Sequence, residues 1–216
     1  MSLKNKAILI TAGPTWVPID KVRVISNIAS GQTGLLLANQ AKKMGADVTL
    51  ILGPVGEVGL SKKIRVRHFR YFDELHALMR GELKKKKYDV VIHSAAVSDY
   101  SPKKKFSRKI KSGIKDFTLE FETTVKIADK IKKYAPKVFL TIFKLELDLS
   151  KNEMLSRARD TLRGAKADLA VLNTFSNKCA YKALIIDERK EYCQVYTKEK
   201  LSQKLLQLVS SKVNLK

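Results

Sequence analysis

Residues 31–53 read "GQTGLLLANQAKKMGADVTLILG". Leu35, Ala38 and Ala41 recur at three-residue steps and fall on one face of a helix; lysines follow, and Gly45 is the residue type that ends one. "DVTLILG" (47–53) is then apolar without alternation, as a strand covered on both faces is. Upstream, "KAILITAG" (6–13) has the same character and also ends in glycine. Strand, helix and strand in succession form a parallel crossover unit, and that unit decides the fold class.

The rhythm continues outward. "KIRVRHFRY" (63–71) alternates apolar and basic residues, so one side should be wet. "FDELHALMRGELKKKK" (72–87) reads as a helix and "YDVVIHSAAV" (88–97) as a strongly apolar strand. Residues 98–115 are polar and basic and hold a proline and a glycine, which predicts a long mobile loop. "DFTLEFE" (116–122) alternates as an edge strand does. Residues 123–135 form an amphipathic helix with a threonine cap, and 137–147 a further strand. Ser150 and Glu153 make a capping box at the head of a helix over 150–167. A buried strand (168–175), a hairpin over 183–196 turning at Asp187–Lys190, and a capped helix over 197–213 complete the chain. The reading is an α/β fold: a mostly parallel sheet covered on both faces, with an added C-terminal antiparallel hairpin, in one domain over 1–216.

With 216 residues, 44% of them hydrophobic, the chain can bury one large core. Lys and Arg number 43 against 21 Asp and Glu, a net charge of +22. Such a surface attracts phosphates, nucleic acids and anionic lipid. The lysines are spread along the length, with a tight run only at 84–87 and a cluster at 103–111. They read as a solvated surface with local funnels for small anions, and nucleic acid is not an expected partner. Cys179 and Cys193 have neither metal-ligand spacing nor the density of a disulfide framework, which fits a cytoplasmic protein. His68, His76 and His93 make no zinc site. No signal peptide and no membrane-spanning run are read, so no membrane partner is expected.

In an open parallel sheet, ligands bind beyond the carboxyl ends of the strands. Unusual residues gather there in "TAGPT" (11–15), "SNIASGQTG" (26–34), "HSAAVSDY" (93–100) and "VLNTF" (171–175). Ser30, Gly31, Gln32 and Thr33 stand at a helix head, where free N–H groups and the dipole favour an anion; a plain capped helix after a long loop reads the same way. Asn27 is either an amide donor to a developing oxyanion or a local turn former. Arg23 pairs either an anionic substrate or a surface acid. Asp99 could hold a ribose hydroxyl or a metal, or close an Asx turn. The 103–111 lysines suit a flap over a triphosphate as well as a solvated loop.

Three segments together resemble the phosphopantothenate–cysteine ligases. The family opening T-A-G-G/P-T, then P-I-D-x-V-R-x-I-S-N-x-S-S-G-x-x-G, stands here as "TAGPTWVPIDKVRVISNIASGQTG". H-S-A-A-V-x-D-Y and the lysine motif K-I-K stand as "HSAAVSDY" and residues 109–111. D-L-I-x-A-N-D stands as "DLAVLNT". The resemblance runs over residues 6–205 and implies a Rossmann-like three-layer α/β/α sandwich working as a homodimer in the cytoplasm. It implies joining 4'-phosphopantothenate to L-cysteine in coenzyme A biosynthesis, through an acyl-nucleotide, with CTP or ATP as co-substrate and Mg2+. It also implies a free-standing form, with no flavin and no flavin-dependent decarboxylase domain. By matched position, Asn27 and Lys109 are the catalytic residues. Arg23, Asn27, Ser30 and Gly31 bind substrate. Ser94, Ala95, Ala96, Asp99, Lys109, the segment Thr124, Val125, Lys126, Ile127, and Phe143 and Lys166 bind nucleotide. The metal ligands are not assigned.

Departures fall mostly on the nucleotide half. Ala29 replaces a family serine. Thr124–Ile127 replaces N-P-D-I, and Ile142–Glu146 replaces G-F-A-x-E. The family's paired helix lysines are Thr161 and Ala165 here, with Arg163 and Lys166 nearby. Leu172, Asn173 and Thr174 replace A-N-D. These changes keep open an alternative: a homologue that retains the fold as a binding or regulatory protein without nucleotide-dependent turnover. A short-chain oxidoreductase is disfavoured, because the chain has no Tyr-x-x-x-Lys pair and has Gly53 and Pro54 where an acidic residue would hold a ribose.

Overall fold

The apolar run at the N-terminus becomes β1 (Ala7–Ala12), an inner strand of the sheet's parallel part. The computed structural model describes residues 1–175 and 181–215. Cys179 lies outside them. β1 pairs in parallel with β4 (Asp47–Leu52) on one side and β6 (Val90–His93) on the other, in the registers Ile8↔Val48 and Ile8↔Val90. Beyond β4 lies β5 (Arg65–His68); beyond β6 lie β9 (Phe139–Leu145) and β10 (Leu169–Phe175), all parallel. An antiparallel hairpin, β11 (Tyr181–Ile186) and β12 (Glu191–Val195), extends the far edge. The order among the described residues is β12-β11-β10-β9-β6-β1-β4-β5.

Helices cover both faces, which is why the strands are apolar without alternation. α1 (Gln32–Lys43) and α5 (Lys198–Val213) pack on one face, over Ile8, Ile10, Leu50 and Ile92. α2 (Phe72–Lys85), α3 (Ala128–Tyr134) and α4 (Lys151–Ala165) pack on the other, over Leu9, Ile51, Val91 and Leu140. Leu35, Ala38 and Ala41 are buried as their spacing predicts, and Gly45, at φ 93°, turns the chain out of α1. The caps read from sequence form. Glu153 N–H donates to Ser150 Oγ at 3.3 Å while Ser150 N–H donates to Glu153 Oε2 at 3.0 Å, and Lys200 N–H donates to Thr197 Oγ1 at 3.1 Å. In the hairpin turn, Asp187 Oδ1 accepts from the N–H groups of Arg189 and Lys190, each at 2.8 Å. No helix among the described residues is long and apolar enough to cross a membrane.

Three expectations are corrected. Residues 116–122 do not form an edge strand of the large sheet. The alternating stretch yields only β8 (Phe121–Thr123), which pairs with β7 (Tyr100–Pro102) in a separate two-stranded ribbon. Residues 98–115 are therefore partly ordered as β7, and the remainder docks elsewhere, as described below. The third helix begins at Ala128, and Thr124 does not cap it. Thr124 is drawn back toward β7: its N–H donates to Asp99 O at 2.9 Å and its hydroxyl to Ser98 O at 2.7 Å. A second ribbon, β2 (Trp16–Pro18) with β3 (Val24–Ser26), occupies the stretch between β1 and α1.

Candidate active site

After β1 the chain crosses by α1 to β4 on one side; after β5 it crosses by α2 to β6 on the other. The carboxyl ends of β1 and β6 thus flank a point where the direction of winding reverses, the place where open α/β sheets leave a crevice. Residues 11–15 and 94–98 meet there and are stitched together. Ser94 N–H and Oγ–H both donate to Thr11 O, at 3.2 and 2.6 Å. Ala95 N–H donates to Thr11 Oγ1 at 3.1 Å, Ala96 N–H to Gly13 O at 2.9 Å, Thr15 N–H to Ala96 O at 3.2 Å, and Ser98 N–H to Thr15 Oγ1 at 2.9 Å. Ser94, Ala95 and Ala96 form a shelf held by backbone and by two buried threonine hydroxyls. Thr11 Oγ1 also lies 2.9 Å from His93 Nδ1. Burial pushes the His93 imidazole down to about 4, so it is neutral at physiological pH.

The head of α1 joins this shelf. Gly31 is its N-cap at φ 69°, a left-handed conformation that glycine adopts without strain, with no side-chain cap. The first N–H groups of α1 lack intrahelical partners, and among the described residues only Gln32 N–H approaches a side chain, Ser30 Oγ at 3.4 Å. Gly34 brings the helix against β1. A Cβ there would lie 2.3 Å from Ala12 Cβ and 3.1 Å from Ser94 Oγ. The proposed anion cradle and the proposed nucleotide shelf are therefore one continuous surface.

Asn27 spans it. Its Nδ2 donates to Ala96 O and Val97 O, each at 3.2 Å, so both amide hydrogens face the shelf and Oδ1 is left for another donor. Arg23 is engaged through one of its three guanidinium nitrogens, on a side chain that is 42% exposed. Its Nη1 donates to Asp20 Oδ2 at 2.6 Å and to Ile110 O at 3.2 Å. The 103–111 segment is docked through these contacts and through Phe106 N–H, which donates to Ile19 O at 2.9 Å. Lys109, exposed, is next to the docked Ile110.

Other expected residues are arranged less favourably. Val125 and Lys126 are exposed beside Thr124, but the Ile127 side chain is 2% exposed and packs in the core beneath α3, so it offers a ligand only its backbone. Phe143 packs on the α1/α5 face, opposite to Ile127, and shares that face with Ala12 below the shelf. Asp99 is exposed at the shelf's end, its carbonyl engaged by Thr124. Lys166 is exposed at the left-handed C-cap of α4, and Arg163 is paired with Asp160 on its own helix. The retained Glu146 has a nearly buried carboxylate between Lys144 Nζ (3.4 Å) and Arg157 Nη1 (3.6 Å). Reasoning from sequence missed Thr11, Thr15 and Asp20. All three lie inside quoted motifs, and a hydroxyl at or just past the end of a buried strand, or a carboxylate in a turn, is the signal that was available.

Comparison with known proteins places this arrangement. A family model for the DNA/pantothenate metabolism flavoprotein C-terminal domain matches residues 3–213. The chain is 43% identical over 174 residues to the coenzyme A biosynthesis bifunctional protein CoaBC of Thermococcus kodakarensis, covering 80% of this chain and 42% of that protein. It is 34% identical over 174 residues to the CoaBC of Bacillus subtilis, covering 79% and 41%. The chain thus spans about two fifths of the length of these curated relatives. Among solved structures, the DNA/pantothenate metabolism flavoprotein of Streptococcus pneumoniae matches with a TM-score of 0.84 at 24% identity, covering 96% of this chain and 99% of that one. The C-terminal domain of CoaBC matches at 0.81 and 26% identity, covering 99% and 98%. A Cab2 mutant in complex with phosphopantothenate-cysteine shares the fold at 0.80 and 19% identity, covering 98% and 87%. A Rossmann-like sheet, a glycine-headed helix and a motif-matched shelf, together with a family match over nearly the whole length, show that the chain belongs to the DNA/pantothenate metabolism flavoprotein C-terminal domain family.

Proposed function

We propose that the chain ligates 4'-phosphopantothenate to L-cysteine at the expense of a nucleoside triphosphate. The observation that carries this reading is the Asn27 bridge. The segment read as gripping the acid and the segment read as carrying the nucleotide are joined by one amide across the β1/β6 crevice. A carboxylate is a poor electrophile. In the proposed reaction its oxygen attacks the α-phosphorus, the bond to the β-phosphate breaks and pyrophosphate leaves. The amine of cysteine then attacks the acyl carbon and expels the nucleotide.

The α1 head, with Ser30 and Gly31, supplies N–H donors to anionic oxygens, and Asn27 orients the acyl group. Ser94, Ala95 and Ala96 offer a flat backbone surface to the nucleotide, and Lys109 brings a cation over the phosphates. Among the described residues no three His, Cys, Asp or Glu side chains gather as a metal cage. Of this chain's residues Asp99 would be the one to hold Mg2+ alongside the triphosphate, and the ion would supply charge stabilisation there. The co-substrate is CTP or ATP. Exposed Val22, Tyr100 and Phe121 on the two ribbons, with exposed Ile28 just after the first, suit burial against a second copy in a homodimer, in keeping with a cytoplasmic enzyme.

The test is pyrophosphate release with 4'-phosphopantothenate, L-cysteine and CTP or ATP in turn. Sustained release that depends on all three components is expected, with no more than one equivalent per site when L-cysteine is left out. Folded protein that releases none with either nucleotide overturns the reading.

A further inference from the structure

Asp20 has a role that the ligase motifs leave open. It lies in the turn between β2 and β3, only 6% exposed. Its Oδ1 accepts from the N–H groups of Val22 and Arg23, each at 2.8 Å. Its Oδ2 accepts from Arg23 Nη1 at 2.6 Å and from Ile110 N–H at 3.0 Å. The first three donors are local. The fourth is 90 positions away, in the lysine-rich segment, and is the residue directly after Lys109. Arg23 closes the ring by donating to Ile110 O at 3.2 Å, so the Ile110 peptide is gripped at both its N–H and its C=O.

A carboxylate that accepts this many charge-assisted bonds is saturated. The Ile110 N–H leads the causes that hold it well below the usual carboxylate range, followed among the donors by the Val22 and Arg23 N–H groups. It is therefore ionised throughout the physiological range and has no capacity left for a metal or a substrate. The other ties of the segment are scattered single contacts: the Phe106 N–H bond to Ile19 O, the Lys103 N–H bond to Glu120 O at 3.0 Å with an exposed Lys103–Glu120 pair at 3.4 Å, a tilted ring contact between Phe106 and Phe117, and a long, exposed Lys105–Asp73 pair at 3.9 Å. Asp20 is the point where the 103–111 segment meets the loop that carries Arg23 and Asn27.

We propose that Asp20 is a positioning residue: together with Arg23 it clasps the Ile110 peptide and so sets Lys109 over the site. Its catalytic consequence rests on the ligase reading; its structural consequence does not. Asp20→Asn removes the charge and halves the acceptor capacity. Ile110→Pro deletes the distant N–H and leaves Asp20 untouched. Hydrogen exchange of the 103–113 backbone and trypsin cleavage after Arg108 and Lys111, sites that both variants keep, read the clasp without reference to activity. Both variants should exchange and be cut about tenfold faster in this segment while the β1, β4 and β6 amides keep their protection. Unchanged protection of 103–113 in both variants overturns the clasp.

Where wild-type protein releases pyrophosphate, a double-mutant cycle tests the action through Lys109. Asp20→Asn should lower turnover about tenfold when Lys109 is present and less than about twofold in a Lys109→Ala background. Equal losses in both backgrounds overturn the positioning role. Absence of turnover in the wild type would count against the ligase reading alone, leaving the exchange result to decide the clasp.

Discussion

Replacing Gly34 with alanine would separate packing from helix propensity at the heart of the site. In a free helix the change is favourable by about 1 kcal/mol, because alanine loses less conformational freedom than glycine. Here the new methyl would sit 2.3 Å from Ala12 Cβ and 3.2 Å from Ala12 Cα, atoms fixed to β1. Carbon atoms settle at roughly 3.5–4.0 Å, so the head of α1 must retreat by about 1 Å or more. Overpacking of this kind costs about 1–3 kcal/mol, which equals or exceeds the propensity gain, so the net loss of stability is expected to be about 0–2 kcal/mol. The effect on turnover should be larger than that on stability. The retreat carries the unpartnered N–H groups of α1 away from the shelf, and a misplacement of about 1 Å can cost about a hundredfold. Gly81, in the middle of α2, is the internal control: a Cβ there meets nothing within 4 Å. Gly81→Ala should stabilise by roughly 0.5–1 kcal/mol and leave turnover unchanged. Urea unfolding and pyrophosphate release on both variants make the comparison. A Gly34→Ala protein that gains stability as Gly81→Ala does, with undiminished turnover, would refute the close-packing argument.

Further predictions follow from single contacts. Asn27→Asp turns two donors into a carboxylate facing the Ala96 and Val97 carbonyls; turnover should fall about tenfold or more while stability moves by no more than about 1 kcal/mol, measured by steady-state kinetics and urea unfolding. For His93, the folded pKa of about 4 lies below the usual 6.5, so its contribution is fully present above pH 6.5 and lost as the pH falls toward 4. Wild type should lose up to about 3 kcal/mol more than His93→Gln over that interval, and an equal loss of unfolding free energy in the two proteins between pH 7 and 4.5, read by urea unfolding, would contradict the assignment. Ser150→Ala removes the Oγ that accepts from Glu153 N–H, leaving the Ser150 N–H bond to Glu153 Oε2, and should cost about 1 kcal/mol, read as a lowered urea midpoint at unchanged slope.

The large sheet was legible because its strands are buried on both faces. Runs such as Ile8, Leu9 and Ile10 carry the signal alone, since alternate residues feed two different cores. Caps were legible for a similar reason: Ser150 and Thr197 satisfy N–H groups within three residues, so sequence neighbours are also contact neighbours. The two ribbons were not legible. Three-residue strands such as β2 and β8 carry too little pattern, and their pairing is fixed by where the chain re-enters the sheet. Thr124 misled as a cap because the same hydroxyl satisfies Ser98 O just as well, and only the tertiary path of β7 decides between them. Motif matching singled out residues 94–96 and Asn27, which the structure brings together, but could not show that Arg23 is engaged by Ile110 or that Ile127 faces inward. Both depend on contacts with partners distant in sequence.

One feature at the margin of the molecule bears on its behaviour at high concentration. The outermost parallel strand, β5, is four residues long, and Arg65 and Arg67 are exposed on it, with Arg65 leaning on Glu82 at 2.5 Å. An incoming strand from another molecule would find few free backbone groups to pair with and would meet like charge, so stacking side by side into fibrils is disfavoured at this border. Part of the basic excess thereby guards against aggregation, and exchanging these two arginines for threonine should shorten the lag before fibrillar precipitation on prolonged storage.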